Sequence, residues 1–179
     1  MKRVYWWPII LIAAILISDQ VTKALIVANV ARIQDGGPII EVFGDFFRII
    51  HTRNLGIAFS IGQGLPDVAR RLLFAGLPLL LIAGLFVYYI KTDELTKLQR
   101  WAVAGIVGGG LGNLIDRVFR PEGVVDFLDV RFYGLLGMER WPTFNIADAA
   151  VVVSGILLII ALFVQGSVEQ SRESDASEG

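Results

Sequence analysis

Between Gly108 and Asp148 the chain gathers carboxylates and amides at the ends of apolar segments, in GGGLGNLIDRVFRPEGVVDFLDV and then PTFNIAD. Asn113, Asp116 and Arg117 fall at i, i+3 and i+4, on one face of a helix. Asp126 and Asp129 lie on the connection that follows. Asn145 and Asp148 stand at i and i+3 in the first turn of a second apolar segment. Two apolar helices joined by so short a loop run antiparallel, so their polar ends meet at one face of a bilayer. Ionisable groups at membrane depth are costly and mark function by default. Paired carboxylates without a thiol or histidine partner suit general acid/base attack of water on an amide. Two close carboxylates cannot both ionise easily, so they share a proton: one activates water, the other protonates or holds the carbonyl oxygen. Blander readings exist for parts of the set. Asp116 and Arg117 can form a helix-end ion pair, and Asn145 alone can be an Asx cap.

Composition narrows the chemistry further. The chain has 179 residues, one domain by size, and 55% of them are hydrophobic. Mean hydropathy is +0.64, well above the soluble range. A net charge of -1 argues against nucleic acid as a partner. The absence of cysteine excludes disulfides, thiolate catalysis and cysteine-based zinc sites. His51 is the single histidine, which excludes an HExxH zinc hydrolase; it reads as a surface or packing residue. No cofactor and no metal are expected.

Four apolar segments must position these groups, over residues 6–28, 68–90, 101–117 and 146–164. Each is roughly 20 residues, about 30 Å as a helix and enough to cross a bilayer. Met1-Lys2-Arg3 ahead of an apolar run resembles a signal peptide, yet no small-x-small site follows, so the segment reads as a retained first span. Trp6 and Trp7 are its interfacial anchor. Asp19 and Lys23 share a face of that span and pair there. Residues 39–63 carry Ile, Val and Phe interspersed with polar residues, which predicts short strands outside the hydrocarbon. Asn54 opens a compact, turn-like NLGIAFS. Pro78 is expected to kink the second span. Gly105, Gly108, Gly109, Gly110 and Gly112 give the third span a smooth surface for a neighbouring helix or a substrate. Residues 169–179 read as a disordered acidic tail.

Four spans place both termini on one side. Lys2, Arg3, Lys91, Lys97, Arg100 and Arg172 on that side are outnumbered by Arg32, Arg48, Arg53, Arg70, Arg71, Arg117, Arg120, Arg131 and Arg140 opposite. A raw positive-inside count therefore points the termini outward, although the 91–100 loop is dense in basic residues. From the residues alone, three rivals stand beside a protease. One is a small transporter or proton conductor using Asp19, Lys23, Asp116 and Asp148 as a relay. The others are a scaffold with its aspartates in ion pairs, and a Mg²⁺ site.

SDQVTK, NLGIAFS, GGGLGNLIDRV, VVDF and FNIAD, in this order, resemble the lipoprotein signal peptidases (signal peptidase II) over residues 6 to 165. The resemblance implies an all-α membrane protein of four transmembrane helices with a small extramembrane β-sheet, the β-cradle. It implies an intramembrane aspartyl protease that removes the signal peptide from diacylglyceryl-modified bacterial prolipoproteins, just before the lipidated cysteine. The catalytic pair would be Asp126 and Asp148. Asp19, Lys23, Asn54, Asn113, Arg117 and Asn145 would support them or contact substrate, with Asp116 and Asp129 structural. The expected setting is the inner membrane, with both termini cytoplasmic and the site near the outer face. The expected partners are the lipid-modified prolipoprotein and membrane lipid, with no nucleic acid, the chain acting as a monomer. Ile57 departs from the alanine usual at its position, and VFRPEG falls where the family varies in length. Asp148, near a helix N-terminus, gains a few tenths to ~1 kcal/mol for its ionised form. Asp126 is then the expected holder of the shared proton.

Overall fold

A computed structural model describes residues 6–55, 66, 68–69 and 72–178. Its helices are α1 (Trp6–Asn29), α2 (Leu77–Lys91), α3 (Lys97–Phe119) and α4 (Ile146–Glu178). Strands β1 (Ile40–Phe43) and β2 (Phe47–Asn54) follow α1, and β3 (Val124–Val130) lies between α3 and α4. The segments Trp6–Asp35, Leu72–Lys91, Lys97–Phe119 and Ile146–Ser167 are long and apolar enough to cross a membrane. Their outer faces expose residues such as Ile10, Leu25, Leu80, Val87, Ile156 and Phe163. Lipid, not protein, is the natural cover for such faces.

α3 is the buried helix, with α1, α2 and α4 packed around it. Its glycines make that possible. A Cβ on Gly112 would stand 2.7 Å from Asp19 Oδ2, and one on Gly105 or Gly109 would run into Ser154 or the Ala147 carbonyl. Gly108 faces Ile12 of α1, and Gly110 faces Ile82 of α2. The smooth surface is therefore used on neighbouring helices and is not left open for a substrate.

Several boundaries differ from the sequence reading. α3 begins four residues before the expected Trp101, because Thr96 and Gln99 close a reciprocal capping box ahead of it. A π-helical turn over Leu72–Gly76 runs directly into α2, and Pro78, expected to kink the span, stands in the first turn after that irregularity. The backbone of the expected disordered tail continues α4 as helix to Glu178. The span supplies the nucleus, and no glycine or proline interrupts residues 167–178.

The strands form one antiparallel sheet in the order β1-β2-β3. β3 is a departure from the expected loop: Asp126 and Asp129 sit on a strand, opposite Thr52 and Arg48 of β2. Gly123, at φ +98°, makes the turn from α3 into it; a Cβ there would strike the Asn54 carbonyl. Val125 and Phe127 of β3 pack with Ile26 of α1 and Val30 just beyond its end, tying the sheet to the bundle. Beyond β3, Arg131 and Arg140 pair across a short hairpin whose base is pinned by acidic residues. Asp129 accepts from Arg48 Nε and Arg140 Nε, each at 2.8 Å, and Asp45 pairs with Arg48, Arg131 and Arg140. His51 is buried, not at the surface, with Nδ1 2.7 Å from the Val30 carbonyl.

Candidate active site

Asn145 is the hinge of the site. Its side-chain oxygen accepts from Asp148 N at 2.9 Å while the Asp148 carboxylate accepts from Asn145 N at 3.2 Å, a reciprocal cap on α4. The same side chain donates from Nδ2 to Asp126 Oδ1 at 2.7 Å and to Asn113 Oδ1 at 3.1 Å. Asn113 Nδ2 donates in turn to Asp148 Oδ1 at 2.7 Å. Two carboxylates from separate elements, β3 and α4, are thus bridged by two amides from α3 and the α4 cap. Asn54, at the end of β2, adds a donor to Asp126 Oδ2 at 3.1 Å. The Asx cap and the site are one arrangement, not alternatives.

Asp126 is buried, and burial is the first cause pushing its carboxyl pKa up to about 7. The negative charge of Asp148 pushes the same way, while the Asn54 and Asn145 bonds and the charge of Lys23 pull it down. A carboxyl with that value holds a proton near neutrality.

Beneath the pair lies a charge cluster closed to solvent. Lys23 Nζ has three N–H groups and three acceptors: Asp19 Oδ2 at 2.8 Å, Asp116 Oδ2 at 3.1 Å and Asn113 Oδ1 at 3.0 Å. Asp19 Oδ1 accepts from Ala147 N at 3.0 Å, one residue before Asp148. Asp116 Oδ2 accepts from Val125 N at 3.1 Å, one residue before Asp126, and its other oxygen takes Arg120. The cluster therefore grips the backbone beside each carboxylate. Gln20, overlooked in the sequence, donates to Asp19, Gly112 and Asp116. Its amide in an apolar span was the available signal. Arg120 gave none, since it reads as a surface arginine. Arg117 is half-buried and acts on Asp148, then Asp126, then Asp116 through its charge. Asp129 stands apart, in the arginine cluster under the hairpin. Gly56 to Ser60 of NLGIAFS, with Ile57, lie outside the described residues, as do Arg70 and Arg71.

A family model described as "Signal peptidase (SPase) II" matches residues 11–164. The chain belongs to the signal peptidase II family. A lipoprotein signal peptidase from Treponema denticola is 47% identical over 175 residues, covering 98% of each chain. One from Treponema pallidum is 45% identical over 173 residues, covering 97% of this chain and 91% of the relative. A solved bacterial membrane enzyme, determined by the in meso method at 2.3 Å, superposes with a TM-score of 0.77 at 32% identity, covering 93% of this chain and 94% of that one.

In this signal peptidase II chain, two cavities adjoin the network, the first touching Asn54 and Arg117 and the second Asp148 itself. One of about 200 Å³ is lined by Asn54, Leu55, Phe74, Arg117, Arg120 and Gly123, among others, and offers charged and amide groups. The other, about 360 Å³, is walled by Val130, Phe132, Trp141, Phe144, Asp148, Ala149, Val152 and Val153 and is almost wholly apolar. Among the described residues, no three His, Asp or Glu side chains converge as a ligand set.

Proposed function

We propose that the chain is an aspartic endopeptidase which removes the signal peptide from diacylglyceryl-modified prolipoproteins, with Asp126 and Asp148 as its catalytic pair. The observation that carries the reading is the amide bridge: Asn145 and Asn113 hold carboxylates from β3 and α4 in one network at one end of the bundle. A proton relay across the bilayer would instead need such groups spaced along the spans.

Asp148 starts ionised, at the α4 N-terminus, where amide dipoles favour negative charge. Asp126 starts protonated, consistent with its pKa of about 7. Asp148 takes a proton from water as the water oxygen attacks the scissile carbonyl carbon, and Asp126 gives its proton to the carbonyl oxygen. The carbon–nitrogen bond then breaks. Asp148 protonates the leaving amine, and Asp126 recovers a proton from a hydroxyl of the intermediate as the acid product forms. Asn113, Asn145 and Asn54 orient the pair, Arg117 draws negative charge to the site, and Asp19, Lys23 and Asp116 fix its supports. Asp129 is structural, holding the hairpin. No cofactor enters, and the enzyme works as a monomer in the bacterial inner membrane, termini in the cytoplasm and site near the outer face.

The test is cleavage of a diacylglyceryl prolipoprotein by the purified protein in lipid. Asp126→Asn and Asp148→Asn should each lose at least ~10³-fold in kcat while keeping the wild-type melting profile. Full activity in either variant removes the assignment.

A further inference from the structure

We infer that Arg120 is a positioning residue of the carboxylate pair: it supplies the charge that neutralises the buried network and, through Asp116, steadies the strand carrying Asp126. The role in catalysis rests on the proposed peptidase reading. Lys23, Asp19 and Asp116 are closed to solvent, one ammonium against two carboxylates. A buried charge without a counter-charge is costly, so this trio calls for a second cation. Arg120 provides it, donating from Nη1 to Asp116 Oδ1 across the last turn of α3 while its own side chain stays one-quarter exposed. The wider count closes in the same way. Asp19, Asp116 and an ionised Asp148 bring three negative charges, and Lys23, Arg117 and Arg120 bring three positive ones, with Asp126 protonated. Without Arg120 the site holds one net negative charge.

Asp116 is the pivot between that charge and the strand. Its Oδ1 takes Arg120 and, at 3.1 Å, Gln20 Nε2; its Oδ2 takes Lys23 Nζ and the Val125 amide, each at 3.1 Å. Four donors fill both oxygens, so the carboxylate cannot turn without giving one up. Val125 directly precedes Asp126, so the orientation of Asp116 fixes where β3 presents Asp126. The backbone of Arg120 is held as well. Its N donates to Asp116 O at 2.7 Å, and its carbonyl accepts from Gly123 N at 3.0 Å in the turn that leads into β3. Arg120 also lines the polar cavity with Asn54 and Arg117, and so joins that cavity to the closed cluster. An exposed i, i+4 pair acts on helix stability alone. A cation set on a buried carboxylate also acts on the ionisation of its neighbours.

The test reads the ionisation of Asp126, which is faced by Asp148 of α4, Lys23 of α1 and Arg117 of α3. Infrared difference spectra of the full-length protein in lipid nanodiscs, each taken against its Asp126→Asn counterpart without substrate, follow the Asp126 carboxyl band across pH. Arg120→Met should move the midpoint upward by on the order of one pH unit. The basic limb of kcat/KM should move with it, and kcat should fall roughly tenfold. Asp116→Asn leaves one net positive charge and should move both downward. Joining the two substitutions restores neutrality and should bring both back to the wild-type position. Arg120→Lys should hold the midpoint, whereas Arg120→Gln, a donor without the charge, should behave as Arg120→Met does and serves in its place if that variant does not fold. A midpoint indifferent to loss of the arginine overturns the inference. So does a double variant further from wild type than either single one, or glutamine rescuing as well as lysine. Cleavage of a diacylglyceryl prolipoprotein by the unsubstituted protein separates the two readings. Cleavage with an immobile midpoint sinks only the role of Arg120, whereas a moving midpoint without cleavage sinks the peptidase reading and leaves the charge balance standing.

Discussion

At the scale of single residues, the proton on Asp126 sets the pH behaviour. Its pKa stands at about 7 against an ordinary 3.8. Between those values the folded protein keeps a proton that the unfolded chain has released. Stability therefore falls as pH rises from about 4 to about 7, and the slope should vanish in Asp126→Asn when melting is followed across that range. Activity has the opposite dependence on the lower side and the same on the upper. In the proposed mechanism Asp148 is ionised and Asp126 protonated, so kcat/KM should fall with a basic limb near pH 7 in the free enzyme. Asn145→Ala gives this a signature that simple loosening would not. The Asn145 bond draws the Asp126 pKa down, so its loss should move the basic limb upward. The variant should also lose ~1 kcal/mol of stability with the α4 cap, and about 10²-fold in kcat as the carboxylates lose register. A basic limb that stays in place would detach Asn145 from Asp126.

At the scale of elements, close helix approach positions the site. Gly112 lets α1 and α4 meet α3 where Asp19 caps the backbone at Ala147. Gly112→Ala would place a Cβ 2.7 Å from Asp19 Oδ2 and 3.0 Å from Ala147 Cβ, costing about 1–3 kcal/mol and lowering kcat. Gly84→Ala on α2 meets nothing within 4 Å and should leave kcat unchanged while modestly raising the melting temperature. Equal effects of the two would mean that the α3 contact does not position Asp148. The elements also mark what could be read in advance. The spans and the i, i+3 pairs were legible because apolar length and helical spacing are local properties. β3 was not, because VVDFLDV becomes a strand only by pairing with β2, some seventy residues earlier. Asp116 looked like a helix-end partner for Arg117, whereas its partners Lys23 and Val125 N come from α1 and β3. The acidic tail misled for a different reason: polarity says nothing about a helix already nucleated by the span before it.

At the scale of the whole molecule, orientation is where charge counting and site architecture pull apart. Arginines on the sheet side outnumber the basic residues near the termini, which by simple count would place the sheet in the cytoplasm. Several of them are not free to act as topology signals in the folded protein. Arg48, Arg131 and Arg140 are paired with Asp45 or Asp129, and Arg32 with Glu122. On the other side, Lys91 and Lys97 bracket a loop of a few residues, short enough to count fully. If pairing forms early enough to mask the sheet-side arginines, the termini stay inside and the sheet faces out, where a substrate translocated across the membrane arrives. The lack of cysteine makes this directly measurable. Glu41→Cys on β1 and Asp93→Cys on the α2–α3 loop each introduce one exposed thiol. In intact spheroplasts a membrane-impermeant maleimide should modify the thiol at position 41 and spare that at position 93 until the cells are lysed. Asp45→Asn with Asp129→Asn, which removes the carboxylate partners of Arg48 and Arg140, should shift a measurable fraction of molecules to the reverse pattern. The reverse pattern in the single-cysteine proteins themselves would put the site on the cytoplasmic face.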